Sequence, residues 1–289
     1  MSDMPRWDPY EFATGRAWDD IAELASVVVT NLLVVGDVHG EARHLSKAVD
    51  LAVDVGAGAI VQVGDFWLAD ATWSRLNPLE SQFMWTAHDA PLPIIVVDGN
   101  HEVWPALSSY ARTPAAQAAV ASRRPLHLGG SIWWAWRGSV WTWGGRTFGA
   151  LGGAVSPDRH SPARRGYRWD DEATTGADLD RLMANVDAEF GGSLDVLFTH
   201  DAPAQVRGLK ATMPGVPWDL REAAKHGRGL LREAVERTQP SFVLHGHWHR
   251  THRERIGEAT EVFGLSADGM ANSAAHLTTH PALGVRYMG

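Results

Sequence analysis

Five short apolar runs in this chain each end abruptly on aspartate, asparagine or histidine, and that repeated grammar limits the fold more than any other feature. Residues 31–35 run into Gly36-Asp37-Val38-His39-Gly40, and residues 59–63 stop at Gly64-Asp65. Residues 93–97 lead to Gly99-Asn100-His101-Glu102, residues 194–198 to Thr199-His200-Asp201, and residues 241–244 to His245-Gly246-His247-Trp248-His249. Short apolar runs bounded by turn residues read as buried strands. Between the first two, residues 41–55 carry Leu45, Ala48, Val49, Ala52 and Val53 on one helical face, and Gly56 and Gly58 stop that helix. Residues 81–88 read as a second helix. This β-α-β-α-β order demands a parallel or mixed sheet with covering helices. Ligands of open α/β sheets gather at the carboxyl ends of the strands, so the polar residues of all five runs converge on one rim.

The rest of the chain reads as follows. Residues 126–154 hold Trp133, Trp134, Trp136, Trp141 and Trp143, and Gly144-Gly145 between two aromatic stretches signals a hairpin. Antiparallel strands are expected here, with the tryptophans as core or sheet-face residues; a base-stacking platform would need them exposed. Residues 157–171 form a polar loop with Arg159, His160, Arg164, Arg165 and Arg168. Residues 172–190 read as a helix, residues 219–238 as a helix interrupted near Gly227 and Gly229, and the chain beyond residue 250 as short strands and loops. With no internal repeat and no linker, residues 1–289 read as one α/β domain with a motif core at 31–250.

The chain has no cysteine, so disulfides and thiolate metal sites are excluded. A metal must be held by His, Asp, Glu or Asn. The rim supplies Asp37, Asp65, Asn100, His39, His200, His247 and His249, besides His101. Imidazole with carboxylate suits borderline divalent ions. Seven donors exceed the roughly four that one ion needs, so two ions are expected, and a shared carboxylate can hold a pair roughly 3.5–4 Å apart. His247 and His249 are two residues apart and would face one side of an extended segment, as would Asp37 and His39.

The formal net charge of −8 is not the basic footprint of a nucleic-acid binder, yet bound cations attract phosphates locally. The expected partner is therefore a small phosphorylated molecule, with nucleic acid disfavoured. Residues 1–20 lack a basic start followed by an apolar run, and no run is long enough to span a bilayer; a cytoplasmic protein is expected. No Gly-x-Ser-x-Gly elbow marks a serine hydrolase.

The five blocks, in this order, resemble those of the calcineurin-like metallophosphoesterase superfamily, and they span residues 36 to 249. The resemblance implies a four-layer α/β/β/α sandwich with two mixed sheets. It implies one metal on Asp37, His39 and His249, a second on Asn100, His200 and His247, Asp65 bridging both, and His101 as the catalytic histidine. A dinuclear phosphoesterase using in-line attack by a bridging hydroxide follows. Manganese is the first expectation for the two ions, with iron, zinc, nickel and magnesium as alternatives.

The chain departs from the protein Ser/Thr phosphatases of this superfamily, which carry Asp-Arg-Gly shortly after the second block. Here Asp65 is followed by Phe66-Trp67-Leu68-Ala69-Asp70, and Asp70 is displaced from the usual aspartate. That favours phosphodiesters of small nucleotides or similar substrates over a phosphoprotein or phosphomonoester phosphatase. Gly152-Gly153-Ala154 resembles a subset of bacterial and phage-encoded members. Arg164, Arg165 and Arg168 are candidate clamps for a substrate phosphate. A catalytically silent scaffold is the alternative of another class, and the full ligand set counts against it. Glu102 is expected to accept from nearby backbone or an arginine, Asp201 to serve a turn or a cap, and His245 to fill a strand end or orient a ligand.

Overall fold

Strands β1 (Asn31–Val35), β2 (Ala59–Val63) and β3 (Ile94–Val97) lie side by side and parallel. The computed structural model describes residues 29–67, 78–104, 107–108, 111–157, 171–209 and 215–289. Alternation along these strands sends Leu33, Val35, Ile60, Ile94 and Val96 to one core and Leu32, Val34, Val61, Val63, Ile95 and Val97 to another. Both faces are buried, which is why the strands read as continuous apolar runs.

The first sheet is completed by β4 (Leu126–Gly129) and β5 (Ile132–Ala135) on one side and by β12 (Ala274–Thr278) and β13 (Gly284–Met288) on the other, in the order β13-β12-β1-β2-β3-β5-β4. The second sheet contains β6 (Val140–Trp143), β7 (Arg146–Leu151), β8 (Val196–Thr199), β9 (Phe242–His245), β10 (His252–Ile256) and β11 (Thr260–Gly264), in the order β10-β11-β9-β8-β7-β6. Both mix parallel and antiparallel pairs. Helices α1 (Ala42–Asp54), α2 (Pro78–His88) and α3 (Pro114–Ser122) pack on the first sheet, and α4 (Gly176–Phe190) and α5 (Trp218–Thr238) on the second. Three apolar cores thus separate four layers, the α/β/β/α arrangement. Among the described residues, no helix is long and apolar enough to cross a membrane.

The tryptophan-rich segment is core. Trp133, Trp134, Trp136, Trp141 and Trp143 are all buried, which rules out the stacking platform. Trp141 lies parallel to Phe148 and Phe198, with ring centroids 5.7 and 6.0 Å away. The hairpin at Gly144-Gly145 joins β6 to β7 as expected. The segment is not one antiparallel unit, however: β4 and β5 belong to the first sheet, β6 and β7 to the second, and β5 and β7 pair in parallel with β3 and β8.

Three further expectations are corrected. Val53 is 56% exposed, because it lies beyond the stripe of Leu45, Ala48 and Ala52 that packs on the sheet. Helix α4 starts at Gly176, where Thr175 and Asp178 form a reciprocal cap; residue 172 belongs to the preceding turn. Helix α5 runs unbroken through Gly227 and Gly229, since burial of Leu231, Ala234 and Val235 outweighs a glycine cost of about 1 kcal/mol each. Residues 158–170, with Arg159, His160, Arg164, Arg165 and Arg168, lie outside the described residues, as does Asp70.

Phe198 is fully buried between the sheets and stacks on Phe148 at 5.9 Å. Phe198→Ala is expected to cost about 3–5 kcal/mol of stability, read as a fall in denaturation midpoint. A loss under 1 kcal/mol would contradict the central core described here.

Candidate metal centre

All five polar strand ends meet at one rim, where β1, β2 and β3 of the first sheet face β8 and β9 of the second. Asp37, Asp65, Asn100 and His200 are buried. Ligating atoms of Asp37, His39, Asp65 and His249 all lie within 4.8 Å of one another, and so do those of Asp65, His200 and His247. Asp65 is common to both groups. Its Oδ2 is 3.6 Å from His39 Nε2, and its Oδ1 is 3.3 Å from His200 Nε2. Asn100 Oδ1 joins the second group at 3.0 Å from His200 Nε2. His101 lies at the edge of the first group, its ring centroid 5.8 Å from that of His39.

The backbone is bent to bring these atoms together. His39, Asp65, His247 and His249 have φ of 48°, 56°, 64° and 48°, a region that non-glycine residues rarely adopt and that clusters at functional sites. This corrects the extended reading of the last block. With both histidines left-handed, His249 joins Asp37 (Nε2 to Oδ2, 2.9 Å) while His247 joins Asp65 and His200. Glycines allow the close approach. A methyl group at Gly246 would collide with Asp37 Oδ1, and one at Gly64 (φ 100°) with the His200 ring.

Hydrogen bonds aim the donors. His200 Nδ1–H donates to Val63 O at 2.8 Å, since a carbonyl can only accept, so Nε2 faces the centre. Asp268 Oδ1 holds His39 Nδ1 at 2.9 Å with the same result. The peptide N–H of His247 donates to Asp37 Oδ1 (2.9 Å) and that of His101 to Asp65 Oδ1 (2.7 Å). Asn100 is oriented through a relay. Ser156 gives its proton to Glu172 Oε2 (3.0 Å) and therefore accepts from Asn100 Nδ2 (2.8 Å), which turns Oδ1 toward His200. Glu172 is itself buried and also accepts from the Ser156 N–H.

The charge balance calls for cations. Burial would lower the His39 and His200 pKa values, but the charge and hydrogen bonds of Asp65, with Asp37 adding to them, lift these to about 9 and about 10. Burial would raise Asp65, but His200 and His39 hold it well below the usual carboxylate range. Burial lowers His247. Asp37 Oδ2 is a buried acceptor without an aligned hydrogen bond, although His249 Nε2 is only 2.9 Å away. Close acceptor-type atoms aimed at a shared space are what a cation requires. The donor set thus fits divalent ions, with two groups joined at one carboxylate.

Residues 30–251 match the family model for calcineurin-like phosphoesterase. The chain belongs to the calcineurin-like phosphoesterases. As one, it is a metal-dependent phosphoesterase, and the family together with the candidate ligands suggests a dinuclear divalent site. TT1561 of Thermus thermophilus superposes with TM-score 0.56 at 18% identity, covering 90% of this chain and 99% of that one. A dimetal phosphatase from Danio rerio gives TM-score 0.53 at 14% identity, covering 90% of this chain and 96% of that one. At these identities the likeness is one of fold. Among curated proteins, none matches in sequence.

Every described candidate ligand from the sequence lies at the rim. Glu102 accepts from Phe66 N and Gly99 N at 3.0 and 3.1 Å, as expected of a backbone anchor. Asp201 accepts from Ala202 N and from Trp248 Nε1, combining a turn with an aromatic anchor. His245 fills its strand end and contacts His252 Nε2 at 2.9 Å. Sequence reasoning missed Gln62, Ser156, Glu172 and Asp268. Gln62 bonds the turns of the first two blocks, to Gly36 O at 3.1 Å and Gly64 O at 2.5 Å; a lone amide in an apolar strand was its signal. The other three had none.

Removing the Asn100 relay tests its role. Ser156→Ala should weaken one of two metal-binding steps about 10–100-fold, the usual cost of losing a ligand's outer partner, and leave the other within threefold. Calorimetric titration resolves the two; equal loss at both would argue against a role confined to Asn100.

Proposed function

We propose that this phosphoesterase hydrolyses phosphodiesters of small nucleotides or similar substrates at a two-ion centre. Asp37, His39 and His249 would hold one divalent ion, Asn100, His200 and His247 the other, and Asp65 both. Manganese is the proposed occupant, because a set of imidazole, amide and carboxylate donors with no thiolate accepts it. The observation that carries the reading is the buried Asp65 carboxylate, shared between two donor groups and ringed by imidazoles.

When bound, divalent ions acidify water and neutralise phosphoryl charge. The chain's own residues do the rest. Asp37 and Asp65 supply the buried negative charge that retains cations. Gln62, Asp268, Ser156 and Glu172 keep the donor atoms aimed, so little reorganisation accompanies reaction. His101 is partly exposed at the edge of the cluster, with its peptide N–H tied to Asp65. Its imidazole would pass a proton to the leaving alkoxide as the phosphorus–oxygen bond breaks. The diester preference is supported by the missing Asp-Arg-Gly element, and a small substrate by the net charge of −8. Arg164, Arg165 and Arg168 remain proposed phosphate contacts from the sequence alone.

A metal series crossed with matched monoesters and diesters, run on wild type and Asp65→Asn, tests this. Diester turnover should depend on added divalent metal and fall by at least 100-fold in the variant. Activity indifferent to chelators, or a marked preference for monoesters, would overturn it. His101→Ala should bind metal normally yet lose about 10²–10⁴-fold in kcat on a diester with a poor leaving group; full turnover there would remove the proton-donor role.

A further inference from the structure

A groove of about 630 Å³ lies beside the metal centre, lined by His247 and, from helix α5, by the wall residues Trp218, Arg221 and Lys225. That volume is in the range of small-molecule sites. The three wall residues are spaced i, i+3 and i+7, so they share one face of the helix. Trp218 is 70% exposed and is the most exposed large apolar side chain among the described residues. Every tryptophan of residues 133–143 is buried, which makes an indole left open at a groove unusual here. Arg221 is exposed and makes no ion pair with any described residue. Lys225 has only a 3.6 Å surface contact with Glu222, an interaction worth little.

Other lining residues are held in place. Trp248 Nε1 donates to Asp201 Oδ1 at 2.7 Å, and the Arg228 guanidinium lies 5.0 Å from its ring. Arg228 is spent on the carbonyls of Ala202, Pro203, Val206 and Leu209. A held Trp248 in the same groove as an open indole and a guanidinium without an ion pair among the described residues fits a ligand that is flat and aromatic at one point and anionic at another.

We propose that this groove takes the nucleoside part of a nucleotide ester, its base stacked on Trp218 and a second phosphate against Arg221 and Lys225. This rests on the phosphoesterase reading above and names the substrate class of that site. Base–aromatic stacking is tolerant of base identity, so the groove selects nucleotides as a class. A guanidinium and an ammonium suit a phosphate that is not the one undergoing reaction.

The test uses two ligands resistant to turnover, adenosine 5′-methylenephosphonate and the same compound without its base, titrated calorimetrically into the manganese-loaded full chain. Wild type should bind the adenosine compound about tenfold more tightly than the base-free one. Trp218→Ala should bring that ratio close to one, and Trp218→Phe should keep most of it. Adding a second phosphate, as adenosine α,β-methylene diphosphate, should tighten binding in wild type but not in Arg221→Ala/Lys225→Ala. Equal binding of the two phosphonates by wild type, or an unchanged ratio in Trp218→Ala, overturns the proposal. Inorganic phosphate provides the separate check. Its failure to bind the manganese-loaded wild type would overturn the phosphoesterase reading, and this inference with it, whereas phosphate binding with no base preference sinks only the groove.

Discussion

Asp65 is a carboxylate buried at the junction of two sheets, with 1% of its surface exposed and imidazoles on both sides. An ionised carboxylate there is costly unless cations or donors surround it. The protein meets that demand from separate stretches of chain. His39 comes from the end of β1, His200 from the end of β8, and the peptide N–H of His101 from the end of β3. The site is therefore a consequence of the sandwich. Only when both sheets present their strand ends to one rim do these groups meet, and two positive charges at imidazole or metal are what keep the carboxylate ionised.

That convergence leaves its cost in the backbone. Four of the donor residues sit in the left-handed region, and glycines stand where a β-carbon would strike Asp37 or His200. Each strained residue costs on the order of 1–3 kcal/mol and persists because the surrounding layers over-determine it. The middle core, with Trp141, Phe148 and Phe198 stacked between the sheets, packs beneath those strand ends. Gln62 adds a local brace by bonding the turns on either side of it.

The strand ends were legible because each couples an apolar run to a polar, glycine-flanked turn, a local signal that needs no knowledge of partners. Helix α1 was legible from the spacing of Leu45, Ala48 and Ala52, although Val53 showed that the apolar stripe was narrower than its composition. The partition of residues 126–151 between two sheets was not legible, since Trp134 and Trp141 read alike and pairing depends on the whole topology. The opposite directions of His247 and His249 were hidden too: spacing assumes an extended chain, and both residues are left-handed. Ser156 reaches Asn100 across 56 positions and Glu172 acts on it through Ser156, and nothing local in either distinguishes it from a turn residue.

The most direct measurement is anomalous diffraction from crystals of the full chain soaked in manganese, collected at a wavelength where manganese scatters anomalously. Two peaks should appear on either side of the Asp65 carboxylate, one among Asp37, His39 and His249 and the other among Asn100, His200 and His247. A single peak, or peaks away from Asp65, would contradict the shared-carboxylate account.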